Sequence, residues 1–130
     1  MKNDLNIKIN NYTNFYLKIE RKYSDTQDED DKWCNITIYI SNNYINYNNS
    51  GELLLECEIN TIIKYVKLFL ENGITEKEEI SFIEPDIEFI LYNDLVELKI
   101  NLFENGALSA DYFVICLNKE EIKQILDYLE

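Results

Sequence analysis

The hydrophobic period of this chain switches from two to helical and back again, and then turns helical once more at its end. That succession limits the possible folds more than any other feature. Leu5, Ile7 and Ile9 alternate with polar residues, and Phe15, Leu17 and Ile19 repeat the pattern. Trp33 opens a third such run, in which Ile36, Ile38 and Ile40 alternate with Thr37 and Tyr39. Period two sends successive side chains to opposite faces, so these runs predict half-buried strands. Tyr44 to Tyr47 and Leu53 to Cys57 read as an irregular strand pair, with turns at Asn42–Asn43 and from Asn48 to Gly51.

From Ile59 onward the spacing becomes helical through Ile62, Ile63, Val66, Phe69 and Leu70, and Gly73 supplies the stop. Strands are then expected at Glu79 to Ile83, Ile87 to Tyr92, Leu95 to Phe103 and Tyr112 to Leu117. Pro85 breaks the series because it has no N–H for a ladder. Asn93–Asp94 and Asn105–Gly106 are turn signals. Asn118 followed by Glu121 has the spacing of a capping box, and Ile122, Ile125, Leu126 and Leu129 form one apolar stripe behind it. Strand runs separated by segregated helices predict an α+β fold. The expectation is one domain over residues 1–130, with a mostly antiparallel sheet of about seven to eight strands and two amphipathic helices at about 59–72 and 118–130.

Charge limits the partners. The chain carries 25 Asp and Glu against 12 Lys and Arg, a formal net charge of −13. Nucleic acid and anionic membrane need cationic groups, so both are poor partners. A cationic protein is a natural one, because complementary fields speed encounter and fix register. No apolar stretch approaches the ~20 residues of a membrane span. The opening MKNDLNIKIN lacks the apolar core of a signal peptide. Cys34, Cys57 and Cys116 are odd in number and widely spaced, which fits buried free thiols in a reducing cytoplasm better than disulfides or zinc.

The residue types exclude much of catalysis. There is no histidine, so Ser-His-Asp and Cys-His arrangements are impossible. Gly51, Gly73 and Gly106 are isolated, so no phosphate-cradling loop can be written. A calcium loop started at Asp25 puts Asp30 where glycine belongs, and one started at Asp28 puts Trp33 there. No catalytic, cofactor-binding or metal-ligating set emerges, and no cofactor is expected. The carboxylate of Glu84 or Asp86 is expected to satisfy backbone donors at the break that Pro85 makes.

The densest acidic group is Asp25, Asp28, Glu29, Asp30 and Asp31, and Trp33 follows it directly. These residues are the candidate partner-binding site. Trp33 fits a core aromatic at a strand start, and it also fits an interface anchor, as Trp often is. Tyr39, Tyr44 and Tyr47, with asparagines beside them, form the kind of polar aromatic surface found in paratopes.

Motif order adds a resemblance. Ile19-Glu20-Arg21 ends a strand, and the acidic loop leads to Trp33. Cys57-Glu58 opens an amphipathic helix, and Phe82-Ile83-Glu84-Pro85-Asp86-Ile87-Glu88-Phe89 precedes a strand pair and a final helix. Over about residues 13–130 this order resembles the WapI-type immunity proteins of bacterial polymorphic toxin systems. In that family an acid-then-Trp stretch and a Glu-Pro followed by alternating apolar residues recur in this sequence. The acidic loop here is longer and more acidic, and a short extra strand precedes the match. The resemblance implies a cytoplasmic protein that binds and neutralises a cognate toxin domain, for which the acidic charge favours a cationic character. Monomer or homodimer stays open, because the apolar stripe of the last helix fits packing on the sheet and also a dimer contact. The alternative is a non-enzymatic acidic interaction domain, phage-encoded or regulatory, whose charge serves solubility.

Overall fold

A computed structural model describes residues 4–21, 28–104 and 107–130. Among the described residues eight strands and two α-helices follow one another in the expected order. The strands are β1 (Leu5–Ile9), β2 (Thr13–Glu20), β3 (Trp33–Ser41), β4 (Asn46–Leu55), β5 (Ile74–Ile80), β6 (Ile87–Asn93), β7 (Leu95–Glu104) and β8 (Ala107–Leu117). Helix α1 (Glu56–Asn72) joins β4 to β5, and α2 (Lys119–Leu129) ends the chain. The fold is α+β and every strand pair is antiparallel. The strands divide into two four-stranded meanders, β1-β2-β3-β4 and β5-β6-β7-β8.

Alternation sets the faces. Ile36, Ile38 and Ile40 of β3 are buried, while Asn35 and Tyr39 on the opposite face are exposed. Val96, Leu98 and Ile100 of β7 face inward in the same way. On α1 the buried residues are Ile59, Ile62, Val66 and Phe69, and on α2 they include Ile122, Ile125, Leu126 and Leu129. Inner faces of both sheets and apolar stripes of both helices form one buried cluster. At its centre lies an apolar void of about 30 Å³, lined by Phe15, Ile38, Ile62, Phe89 and Ile125 among others. The Tyr47 and Phe113 rings meet edge to face at 5.5 Å and so join β4 directly to β8.

Local chemistry fixes the ends of the elements. Asn10 and Asn11 take φ of 53° and 64° in the β1–β2 turn, a region asparagine tolerates better than most residues. The Asn118 side chain accepts from Glu121 N at 2.8 Å, and Glu121 Oε1 accepts from Asn118 N at 2.9 Å. That is the expected capping box.

Four local expectations change. β4 is one continuous strand, so Asn48 to Gly51 make no turn. The irregularity is a bulge, because Cys34 pairs with Leu54 but Asn35 pairs with Glu52. Gly51, at φ 155°, takes a backbone conformation that side chains disfavour. α1 begins at Glu56 rather than about 59, because polar first-turn residues carry no apolar period yet form good helix starts. β5 lies at Ile74–Ile80 rather than Glu79 to Ile83, pairing across with β6 despite its run of charges. Cys57 and Cys116 are exposed, and only Cys34 is buried. Cys116 sits between buried Ile115 and Leu117, so alternation turns it outward. The expected turn at Asn105–Gly106 lies outside the described residues.

Candidate functional site

The segment from Asp28 to Asp31 is a single 3-10 turn over Glu29–Asp31, closed by Asp31 N donating to Asp28 O at 2.9 Å. The Asp28, Asp30 and Asp31 side chains are exposed. Asp25 lies outside the described residues, and of Glu29 only the backbone is described. Trp33 is the first residue of β3 and pairs with Leu55. It is half-buried and alternates with buried Cys34 and Ile36, so it belongs to the outer face with Asn35 and Tyr39 rather than to the core.

The fold gathers other carboxylates around this turn. Glu56 opens α1 and its N–H donates to Lys32 O at 2.9 Å, which docks the helix start against the acidic segment. Arg21 Nε donates to Glu56 Oε2 at 2.8 Å. Cross-strand neighbours Glu20, Asn35 and Glu52 add two more acids on the outer face of the first sheet. Glu58 Oε1 accepts from Leu55 N at 2.9 Å, and its Oε2 accepts from Ile83 N at 3.0 Å. Glu58 therefore ties the first turn of α1 to the segment that carries Glu84 and Asp86. The helix start favours negative charge in its first turn. These contacts define a margin that runs from the turn of Asp28 to Asp31, through Glu56 and Glu58, to the segment with Glu84 and Asp86, and Arg21 and Lys32 lie along it too.

At the far end of the margin Asp86 is only 7% exposed. Asn49 Nδ2, from β4, donates to Asp86 Oδ2 at 2.7 Å. Asn101 of β7 holds the turn, its N–H donating to Asp86 O at 2.9 Å and its amide to Pro85 O at 2.7 Å. The expectation that Glu84 or Asp86 would satisfy backbone donors at the proline break is replaced. Glu58 does that for Ile83, and the Asp86 side chain binds across to the other sheet. Tyr47, Asn48, Asn49, Leu53, Glu84, Asp86 and Phe103 line a cleft of about 420 Å³ there. Burial pushes the Tyr47 phenol above its usual value, the hydrogen bond with Asn49 opposes this, and the charge of Asp86 adds to it.

The Cys34 thiol donates to Glu56 Oε2 at 3.5 Å. Burial first, and then that hydrogen bond, push it up to about 12, so it stays a protonated and inert thiol. Among the described residues no group of three or more Cys, Asp or Glu is arranged to hold a metal ion. No described helix is long and apolar enough to cross a membrane.

Glu56, Glu58 and Asp86 belong to the margin although the sequence singled out none of them as partner-binding. Their signals were present but local: acids in a helix first turn, and an acid after proline. The model of the immunity protein WapI-like family matches residues 5–130. No curated protein and no solved structure matches the chain.

Proposed function

The chain belongs to the WapI-like immunity protein family, and from that premise we propose that it binds and neutralises a cognate bacterial toxin domain through its acidic margin. Membership assigns an immunity function in general terms, and with it a toxin as the kind of partner. The finer reading is supported by one chain of contacts: Glu56 N–H donates to Lys32 O beside the turn of Asp28 to Asp31, and Glu58 accepts from Ile83 N beside Glu84. A surface of that kind attracts a cationic domain from a distance and orients it on arrival. Trp33, half-buried on the outer face beside the acidic turn, offers an aromatic anchor.

In this reading the protein works by binding and not by catalysis, needs no cofactor, and acts in the cytoplasm of the cell that makes the toxin. Residues 1–130 act as one domain, as a monomer or a homodimer. The toxin belongs to a polymorphic toxin system, and its cationic character follows from the charge of −13 set against it.

The test is capture of the toxin domain encoded beside this gene, at low and at high salt. Capture that weakens as salt screens the charges, together with loss of toxicity on co-expression, supports the reading. Absence of capture at both salts sinks it.

A further inference from the structure

The cleft beside Asp86 combines a buried carboxylate with aromatic and amide walls. Asp86 is 7% exposed, and the described hydrogen bond to its carboxylate comes from a neutral amide, that of Asn49. A buried carboxylate is costly unless it is paired. Yet among the described residues no Lys or Arg forms an ion pair with Asp86, and none lines the cleft. Lys99, two residues before Asn101 on β7, is engaged with Glu88 at 3.5 Å. Glu84 adds a second carboxylate at the rim. The remaining walls are the rings of Tyr47 and Phe103, the amides of Asn48 and Asn49, and Leu53. Phe103 is 40% exposed.

From this geometry we infer that the cleft is a socket for one arginine side chain of the partner. A guanidinium is planar, so it can lie against aromatic faces while its fork of N–H groups meets carboxylate oxygens. It is also weakly hydrated, so it enters a half-closed cleft at less cost than an ammonium. An anionic or apolar group would leave Asp86 without its counter-charge. The volume of about 420 Å³ lies toward the small end of ligand pockets, roughly 300–1,000 Å³. It suits a side chain, not a whole cofactor.

The position of the socket says how the partner sits. Asn48 lines the cleft and also a groove on the outer face of the first sheet, beside Tyr16, Tyr39 and Asn14. Tyr16 and Tyr39 are cross-strand neighbours there, and Tyr39 pairs on to Asn48. A domain that places an arginine in the cleft therefore lies over the β4 edge and onto a neutral Tyr/Asn face. The acidic margin steers it, and the socket holds it. As to the partner, this rests on the toxin reading above.

Two measurements test the inference separately from that reading. In the first, the protein alone is titrated with N-acetyl-arginine methylamide and followed by amide NMR. Saturable shifts at the Asn49 side-chain amide and at Tyr47 and Phe103 are expected, at least tenfold weaker in the variant carrying Glu84→Gln and Asp86→Asn. An apolar control, N-acetyl-norleucine methylamide, should leave these signals in place. Equal shifts with the control, or shifts confined to the 28–31 segment, overturn the socket. In the second, affinity for the toxin domain should fall at least tenfold in that double variant. Phe103→Ser, an exposed position, gives the same reading should the double variant fold poorly. Tight wild-type binding that neither variant weakens overturns the inference. A wild type that binds no toxin overturns the toxin reading instead, and the titration still decides the socket.

Discussion

The buried carboxylate of Glu121 accepts the backbone N–H of Asn10 across 3.1 Å, and so fastens the last helix to the first hairpin. The same side chain completes the capping box with Asn118. One carboxylate thus satisfies a helix cap and a tight turn 111 positions away. Hydrogen bonds to charged groups contribute about 1.5–3 kcal/mol, and caps typically about 1 kcal/mol. Glu121→Ala is therefore expected to cost roughly 2–4 kcal/mol, and Glu121→Gln about half as much, in urea unfolding. A loss below about 0.5 kcal/mol for the alanine variant would show that the link contributes little.

Stability should fall at alkaline pH. The Cys34 thiol is raised from 9.0 to about 12 by burial and then by Glu56. Between those values the unfolded chain gives up a proton that the folded chain keeps. The contribution is fully present below pH 9.0 and is lost as pH rises toward about 12. The phenols of Tyr16, Tyr47 and Tyr128 are raised as well and act in the same direction. Unfolding measured from pH 8 to 11 on wild type and Cys34→Ala should show a shallower decline in the variant.

Thiol reactivity gives an independent reading of the same site. Cys57 and Cys116 are exposed and should react with a disulfide reagent in the folded protein, while Cys34 reacts only after denaturant is added. Rapid labelling of all three thiols without denaturant would contradict the burial of Cys34.

The two faces of α1 should differ sharply. Phe69 is buried and Leu68 beside it is exposed. Phe69→Ala is expected to cost about 3–5 kcal/mol, because it leaves a cavity in the shared core. Leu68→Ala should stay within about 0.5 kcal/mol. Equal losses in denaturant unfolding would mean that the helix presents a different face.

Charge reversal tests the acidic margin. Asp28→Lys, Asp30→Lys and Asp31→Lys lie on an exposed turn, so each should change stability by no more than about 0.5 kcal/mol. Together they should slow association with the toxin domain by about tenfold or more at low salt, with little change in dissociation. Near 1 M salt, where the screening length is about 3 Å, the difference should close. Unchanged association rates at low salt would remove this turn from the interface.

Much of the architecture was legible because it is encoded at short range. Ile36, Ile38 and Ile40 announce a strand, Ile122, Ile125, Leu126 and Leu129 announce a helix, and Asn118 with Glu121 marks its start. Trp33 and Cys57 were harder. Each is an apolar residue at the edge of an element, where period alone does not say which face it takes. The β4 asparagines were misleading for a related reason. Asn48, Asn49 and Ser50 favour turns in isolation, but ladder bonds to Tyr39, Ile38 and Thr37 outweigh that preference.

The sequence by itself determined the order of elements, their inward faces, the antiparallel character and the strongly acidic field. These depend on the local backbone period and on summed charge, which need no knowledge of distant contacts. Only the tertiary structure decided that eight strands part into two meanders, that Glu58 reaches Ile83, and that Asn49 meets Asp86. Those outcomes depend on which surfaces bury one another across long loops. Helix α1 follows directly on β4, and its apolar stripe is buried in the same cluster as the inner faces of both sheets. That packing sets Glu56 against Lys32 and Glu58 against Ile83, and makes the cleft beside Asp86.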